Sequence, residues 1–477
     1  MTTEKRETTE DFIYATEEFR DTIATVTKEG KRIWIYPKKP SGNFFNYRKL
    51  VSYILLLLLF GMPFIKVNGQ PFIMFNVLER KFVLFSIVFH PQDFHLFLFT
   101  TLTLLVFIIL FTVIFGRIFC GWVCPQTIFM EMVYRRIEYF IEGDWNAQKK
   151  LNEAPWTTEK LLKKTIKQFL FFGIAIFISN IFLSYIIGYE EVWRIATEPI
   201  SMHLGGFIAM IVFSFLFYGV FAFMREQVCT TICPYGRLQG VMLDTNSIVI
   251  SYDWLRGEPR GKIKKGVDPE QGKQLGDCVD CGLCIKVCPT GIDIRNGTQL
   301  ECVNCTACID VCDEVMVKTK RPTGLIRYDS HNGIAKGERK LLTPRTIAYS
   351  FVLIALLILN VVLLSNRSDV EALILHTPGT LFQKSEDGTI SNLYNYTLVN
   401  KTSEVQHITI TTEHPHALLQ FIGMQDLRVP EDSTIHGSMF IRIPGKDLTD
   451  RKTEIKLLVK SNASEEVVET NFLGPFK

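Results

Sequence analysis

Two runs of cysteine constrain this chain more than any other feature. Between Cys278 and Cys312 it reads CVDCGLCIKVCPTG and, after a short gap, CVNCTACIDVCDE, each a C-x2-C-x2-C-x3-C pattern. Three cysteines separated by two residues each wind a tight loop around three corners of a cubane iron–sulfur cluster. The fourth corner is filled from the far end of the other run. On that logic one cluster takes Cys278, Cys281, Cys284 and Cys312, and the other takes Cys302, Cys305, Cys308 and Cys288. Pro289 follows Cys288 as the pattern expects, whereas Asp313 follows Cys312 where a proline is usual. Zinc held by four thiolates is the competing reading. Zinc sites, however, pair two distant C-x2-C hooks rather than two such runs in tandem. The expectation is two [4Fe–4S] clusters in a ferredoxin-like domain over about 270–320.

The rest of the chain is built for a membrane. Of its 477 residues 47% are hydrophobic and 37 are Phe, and the mean hydropathy is +0.17, values that suit a membrane protein better than a soluble enzyme. A net charge of only +3 leaves no strong nucleic-acid footprint. Apolar runs at 51–65, 96–115, 169–188, 204–224 and 346–365 each approach the length that crosses a bilayer. A further run, 82–89, reads as a re-entrant or interfacial helix. A polar stretch, 1–49, precedes the first span, so no secretory signal peptide is expected.

Five spans put the termini on opposite sides, and Lys and Arg decide which. The segments before span one, between spans two and three, and between four and five hold about 10, 9 and 18 of them, against about 3 and 1 in the other two loops. The basic set belongs in the cytoplasm. The expected arrangement is a multi-pass protein of the bacterial inner membrane, with a cytoplasmic N-terminal segment (1–49) and a four-helix membrane region (50–228). A cytoplasmic region carrying the ferredoxin domain (229–345), a fifth span (346–365) and a periplasmic domain (366–477) follow. A reducing cytosol is where exposed thiolates survive. The last segment alternates apolar and polar residues, as in Tyr394, Tyr396 and Leu398 or Ile455, Leu457 and Val459, with turn signals between. That patterning points to an immunoglobulin-like β-sandwich, and it contains no cysteine to staple it.

Four cysteines lie outside the tandem runs. Cys120 and Cys124 sit in GRIFCGWVCPQT, and Cys229 and Cys233 in REQVCTTICPYGR. They form a weak internal repeat: an apolar span, an arginine, then C-x3-C-P. If helical, each pair presents both sulfurs on one face, and the proline ends or bends the helix there. Two such pairs at one membrane face could close a soft four-thiolate site for copper or a further cluster, with Cys120, Cys124, Cys229 and Cys233 as catalytic redox thiols. The bland alternative is four buried cysteines without a ligand. Arg117, Arg225 and Arg237 could lower thiolate pKa values, but each is as well explained as a positive-inside anchor. His95 and His203 lie near span ends and none lies within a span, so no transmembrane haem wire is expected. His414 and His416 read as surface residues.

At these residues the chain resembles the CcoG/FixG (RdxA) family of cytochrome c oxidase accessory proteins, polyferredoxin-like membrane proteins. The resemblance covers nearly the whole chain, and the order of its parts is more specific than the ferredoxin motifs alone. It implies a role in maturing a cbb-type haem–copper oxidase, with reduction of Cu(II) to Cu(I) as the activity, and oxidase subunits or copper-delivery proteins as partners. The C-x3-C-P cysteines also resemble those of NapH-type membrane ferredoxins, which implies a quinol-linked electron-transfer subunit as an alternative. A third reading is an assembly scaffold whose clusters are structural. The electron donor, a cytoplasmic protein or a quinol, is left open.

Overall fold

The computed structural model describes residues 25–475 except 27–28, 30, 68, 79–80, 86, 90–92, 263–274, 386–387, 403, 424–426, 432, 449 and 463–464. Of the expected N-terminal segment 1–49, residues 1–24 therefore lie outside the described part. The chain forms two compact units, Met1–Phe64 with Phe99–Leu357, and Ile65–Leu98 with Ile358–Lys477.

Among the described residues five helices are long and apolar enough to cross a membrane. They begin with α1 (Asn43–Gly61) and α2 (Phe94–Phe115). The reason is the solvent: hydrocarbon offers the backbone no hydrogen bonds, so an apolar run must satisfy its own N–H and C=O groups within a helix. In α2 even the polar side chains turn inward on the helix, Thr103 Oγ1 donating to Phe99 O at 2.8 Å and Thr112 Oγ1 to Ile108 O at 2.7 Å. After α2 come three short helices, α3 (Ile118–Trp122), α4 (Pro125–Ile128) and α5 (Arg135–Ile141), the last two joined by a π-helical stretch at Phe129–Tyr134.

The third span, α6 (Thr158–Ile187), starts well before the apolar run at 169. The Thr157 side chain accepts from Lys160 N, and Glu159 stands in the first turn, a capped start that favours helix irrespective of hydropathy. The fourth, α7 (Leu204–Gly219), ends in a π-helical turn, Val220–Met224, and stops at Arg225 with φ 54°. A left-handed arginine is strained, and its ion pairs, described below, hold it there.

The remainder of this first unit is the ferredoxin-like body. Helix α8 (Pro234–Met242) leads to strand β4 (Val249–Tyr252), which pairs antiparallel with β5 (Ile326–Asp329), Val249 opposite Asp329. Between them lie α9 (Leu283–Val287) and α10 (Ala307–Lys318). Ile250, Val287, Ile294, Ile309, Met316 and Ile326 form the buried core into which the cysteines project. Helix α1 docks on this body through its first turn. The Asp310 carboxylate, carried on α10, accepts from Phe44 N at 3.0 Å and Phe45 N at 2.8 Å. It supplies the cap that Gly42 cannot. The fifth span, α11 (Pro344–Ser365), closes the membrane set.

The second unit is the expected sandwich, with an addition. Strands β6 (Val370–His376), β7 (Thr389–Asn400), β9 (Leu418–Ile422) and β11 (Thr434–Pro444) form one antiparallel sheet in the order β9-β11-β7-β6, joined by a short strand at Gln383–Lys384. Strands β8 (Gln406–Thr412), β10 (Leu427–Val429), β12 (Lys452–Lys460) and β13 (Glu465–Leu473) form the other, in the order β10-β8-β12-β13. Tyr394, Leu398, Met439, Ile441, Leu457 and Phe472 fill the core between them. Two of its buried polar side chains bridge the sheets. Tyr394 Oη donates to Asn471 O at 2.8 Å and Asn392 Nδ2 to Leu473 O at 2.9 Å, tying the two sheets together.

The addition corrects the reading of 82–89 as a helix. The segment is strands β2 (Lys81–Leu84) and β3 (Ile87–Phe89), which with β1 (Ile73–Asn76) make a three-stranded antiparallel sheet. Its period is two: Met74, Val83 and Val88 point to one buried cluster, and a run this short cannot satisfy its backbone as a membrane helix. Beside it Asp93, 2% exposed, binds Lys401 Nζ at 2.6 Å and Arg367 at 2.8 Å.

Candidate metal centres

Both cysteine runs are wound by the same device. In the first, Asp280 (φ 50°) and Gly282 (φ 66°) flank Cys281 in the left-handed region; in the second, Asn304 (φ 53°) and Thr306 (φ 67°) flank Cys305. Alternating right- and left-handed residues turn successive N–H groups toward a common centre, a concavity suited to an anion. Gly, Asp and Asn adopt this conformation readily. A β-branched threonine does not, so Thr306 marks strain held in place by its surroundings. It is fully buried, and its Oγ1 bonds to Cys305 O.

The two loops enclose two cavities. One is lined by Cys278, Cys281, Cys284 and Cys312, the other by Cys288, Cys302, Cys305 and Cys308, and Cys284 borders both. The fourth thiol of each set comes from the opposite run. None of the twelve cysteines forms a disulfide. Among the described residues no three His, Cys, Asp or Glu side chains converge as a single ion requires. The thiols surround a space instead, which fits a polynuclear cluster with sulfur at its corners. Apart from Arg295 at the first cavity and Thr290 at the second the lining is apolar, and burial pushes the Cys284 and Cys302 thiols up to about 12 and that of Cys305 to about 11. Uncharged thiols are thus the stable form without metal, and cluster binding must displace their protons.

Asp313 has a structural reason to replace the usual proline. Helix α10 runs through it to Lys318, and its Oδ1 accepts from Gly324 N at 2.8 Å. A proline at 313 would interrupt that helix.

The C-x3-C-P cysteines sit on no continuous helix. Cys120 lies in α3, and Cys124 is the extended residue before α4, with Pro125 at its first position. Cys229 lies in a π-helical turn, Val228–Ile232, and Cys233 is the extended residue before α8, with Pro234 at its first position. The proline opens each turn between its two cysteines. The two turns meet. Cys120, Cys124 and Cys233 all lie close enough to Cys229 to disfavour its ionisation, which burial already pushes up to about 12. Cys120 and Cys229 pack against the ferredoxin core. Gly121 lies against the Val303–Asn304 backbone so closely that a Cβ there would stand 2.5 Å from Val303 O.

Of the residues that fix this junction, Arg48 and Gln239 were not singled out in the sequence, and Arg117 and Arg225 were named there only for their charge. Buried Arg48 donates from Nε to Gly121 O at 2.6 Å, and its charge favours the Cys305 thiolate against burial. Arg117 Nε donates to Gln239 Oε1 at 2.9 Å, and its Nη1 reaches Cys302 O at 3.4 Å; the Cys120 thiol donates to the same Gln239 oxygen at 3.3 Å. Arg117 is 4% exposed and Arg225 3%, so both guanidinium groups are held by partners inside the protein, whereas Arg237 is exposed. Arg225 Nη1 bonds Glu138 at 3.1 Å. Arg135 binds Glu131 at 3.0 Å and Glu226 at 3.4 Å, and donates to Pro289 O at 3.2 Å beside Cys288. Their partners lie up to 185 positions away in the chain, so no local pattern could have revealed these contacts. His203 pairs with Glu198 at 2.7 Å and His416 with Asp447 at 3.0 Å.

The comparisons with known proteins agree with this geometry. A family model described as "4Fe-4S dicluster domain" matches residues 224–331, one described as "4Fe-4S binding domain" matches 97–147, and one for the immunoglobulin-like fold at the C-terminal of FixG matches 360–475. The second of these spans Cys120 and Cys124. The chain is 30% identical to "Nitrogen fixation protein FixG" of Rhizobium meliloti, over 93% of each chain. It is 31% identical to "Protein RdxB" of Cereibacter sphaeroides, over 93% of this chain and 97% of that one. A crystal structure of a FixG-related protein from Vibrio parahaemolyticus aligns at 18% identity over 23% of this chain and all of its own, with a TM-score of 0.20, too low to carry an argument.

Proposed function

The chain belongs to the FixG/RdxA family, a multi-domain membrane iron–sulfur electron-transfer protein, and from that premise we propose that it reduces Cu(II) to Cu(I) in the assembly of a cbb-type oxidase. Cys278, Cys281, Cys284 and Cys312 hold one [4Fe–4S] cluster, and Cys302, Cys305, Cys308 and Cys288 the other. When bound, such clusters supply one-electron storage. Cu(II) to Cu(I) consumes one electron, so substrate and store match in stoichiometry.

The observation that carries this reading is the packing of the two C-x3-C-P turns on the ferredoxin core. It sets soft thiols, which prefer Cu(I) over Cu(II), against the loop of Cys302 to Cys308. Gln239 and Arg117 orient the Cys120 thiol toward that junction. Cys120, Cys124, Cys229 and Cys233 then receive the copper, and the reduced ion, the softer of the two, stays until a delivery protein or oxidase subunit takes it. In this reading the N-terminus and the ferredoxin body face the cytoplasm of the inner membrane, and the sandwich faces the periplasm. The segments 1–49, 50–228, 229–345, 346–365 and 366–477 divide accordingly.

The test uses full-length protein purified anaerobically, reduced with dithionite, desalted and mixed with Cu(II). About eight irons per chain and loss of the Cu(II) EPR signal are expected. The double variant Cys120→Ser, Cys229→Ser should keep its iron yet retain no Cu(I). An unchanged Cu(II) signal with fully loaded wild-type protein sinks the copper reading, and a scaffold would be indifferent to the double variant.

A further inference from the structure

A large cavity in the first unit takes no part in the thiol sites. It encloses about 860 Å³, within the range of small-molecule sites. Its lining interleaves aromatic and polar side chains: Lys160 Nζ stands 5.1 Å from the Trp156 ring centroid and Lys167 Nζ 6.0 Å from that of Phe171, with Tyr36 and Glu142 beside them. Its position on α6 is telling. The lining begins on the lysine-bearing first turns and runs into the start of the apolar membrane run, where Phe169 is 76% exposed and Phe171 is buried. The occupant therefore sits at the boundary between water and lipid and must itself be half polar and half apolar.

The charges within the cavity argue against a phosphate headgroup. Lys160 Nζ is bound by Asn152 O at 2.8 Å and by Ala154 O. Lys164 binds Glu142 at 2.9 Å, and Lys167 binds Glu142 at 2.9 Å and Glu138 at 3.5 Å. The lining lysines are thus already matched by carboxylates and carbonyls, and a neutral polar ring is better served than an anion. A chain of buried ion pairs also leads out of the cavity. Glu138 binds Arg225, Arg225 lies 4.0 Å from Glu226, Glu226 binds Arg135, and Arg135 donates to Pro289 O next to Cys288.

We propose that this cavity binds the ring of a membrane quinone, whose reduced form is the electron donor of the protein; the proposal rests on the electron-transfer reading above. The aromatic side chains of the lining pack against the ring, and the prenyl tail leaves past Phe169 into lipid. The hydroquinone loses two O–H protons and two electrons to become the quinone. The electrons go singly to the two iron–sulfur centres, and the protons go to the Glu142 carboxylate and on to water. Tyr36, whose hydroxyl is pushed up to about 12 by burial and by the neighbouring Glu142, keeps its proton and donates to a ring oxygen.

The test uses full-length protein in detergent, with decylubiquinone as probe and tryptophan emission as readout, since Trp34 and Trp156 line the cavity. Saturable quenching is expected. It should weaken at least about tenfold, or 1.4 kcal/mol, in Thr165→Phe, which crowds the mouth from an exposed position, and also in Glu142→Gln. Iron content and a thermal melt verify that each variant is folded. Absence of saturable quenching, equal affinity in a folded Thr165→Phe, or equal displacement by phosphatidylglycerol overturns the proposal. Anaerobic decylubiquinol should also generate the EPR signal of reduced centres. If dithionite-reduced protein turns Cu(II) into Cu(I) while decylubiquinol neither binds nor reduces, the cavity proposal falls and the copper reading stands.

Discussion

Thr306 and Gly121 are where the chemistry of single residues is most exposed. Thr306 accepts a strained backbone so that the Cys302–Cys308 loop can close around its cavity. Gly121 has no side chain because the backbone of that same loop occupies the space. Gly121→Ala should therefore cost about 1–3 kcal/mol through overpacking, seen as a lower thermal midpoint, and should push the first C-x3-C-P turn off the ferredoxin loop. Copper retention should fall while the iron of the Cys278 set is kept. Cys305→Ser should lower iron from about eight to about four atoms per chain by metal analysis. Loss of all iron would mean that the two centres assemble only together. The two cysteine runs were legible because the spacing within each is local, and a 4Fe-4S dicluster family model matches the region that contains them. Arg48, Gln239 and Asp310 were not, because each takes its role from a partner far away in sequence.

At the level of elements, helix α10 and the sheet of β1 to β3 carry the lessons. Asp313→Pro would restore the commoner ferredoxin sequence, yet α10 continues through that position. The substitution should cost about 3 kcal/mol, measured as a lower midpoint of denaturation with early iron loss. A midpoint at or above wild type would show that α10 is free to end there. In the second unit Asp93 is held by Lys401 and Arg367. Burial opposes its ionised form, and those two cations outweigh burial, so its carboxyl lies below the usual range. A depressed folded-state pKa stabilises above the unfolded value, near pH 4, and that stabilisation is lost only as pH falls through the lower folded value. Asp93→Asn should thus destabilise the second unit by about 3–5 kcal/mol at neutral pH, with the gap to wild type closing in acid. A gap independent of pH would assign the effect to packing. Hydropathy alone misread 82–89, because a short apolar run looks alike whether its period is two or its helix is buried.

For the whole molecule the orientation we propose follows from the five apolar spans and the bias of Lys and Arg. Alkaline phosphatase fused after Val370 should be active, and fused after Ile250 inactive, since the enzyme folds only outside the reducing cytoplasm. Activity in the reverse pattern would invert the topology and place the ferredoxin body outside. The apolar spans were legible because a bilayer demands length and hydropathy from each helix alone. The start of α6 at Thr158 was not, because its first turns are held by a cap and by lysines paired with Glu138 and Glu142, not by lipid.

The sequence by itself determined the two ferredoxin ligand runs, the five apolar spans and the alternating strands of the C-terminal domain. In each case one local rule, of ligand spacing, hydrocarbon thickness or strand pleat, acts on neighbouring residues. Only the tertiary structure decided that the C-x3-C-P turns meet on the ferredoxin core, that Arg117 and Arg225 are buried, and that a cavity opens beside Glu138 and Glu142. Those facts depend on which distant segments share a low-dielectric interior, where a charge must find a partner whatever its place in the chain.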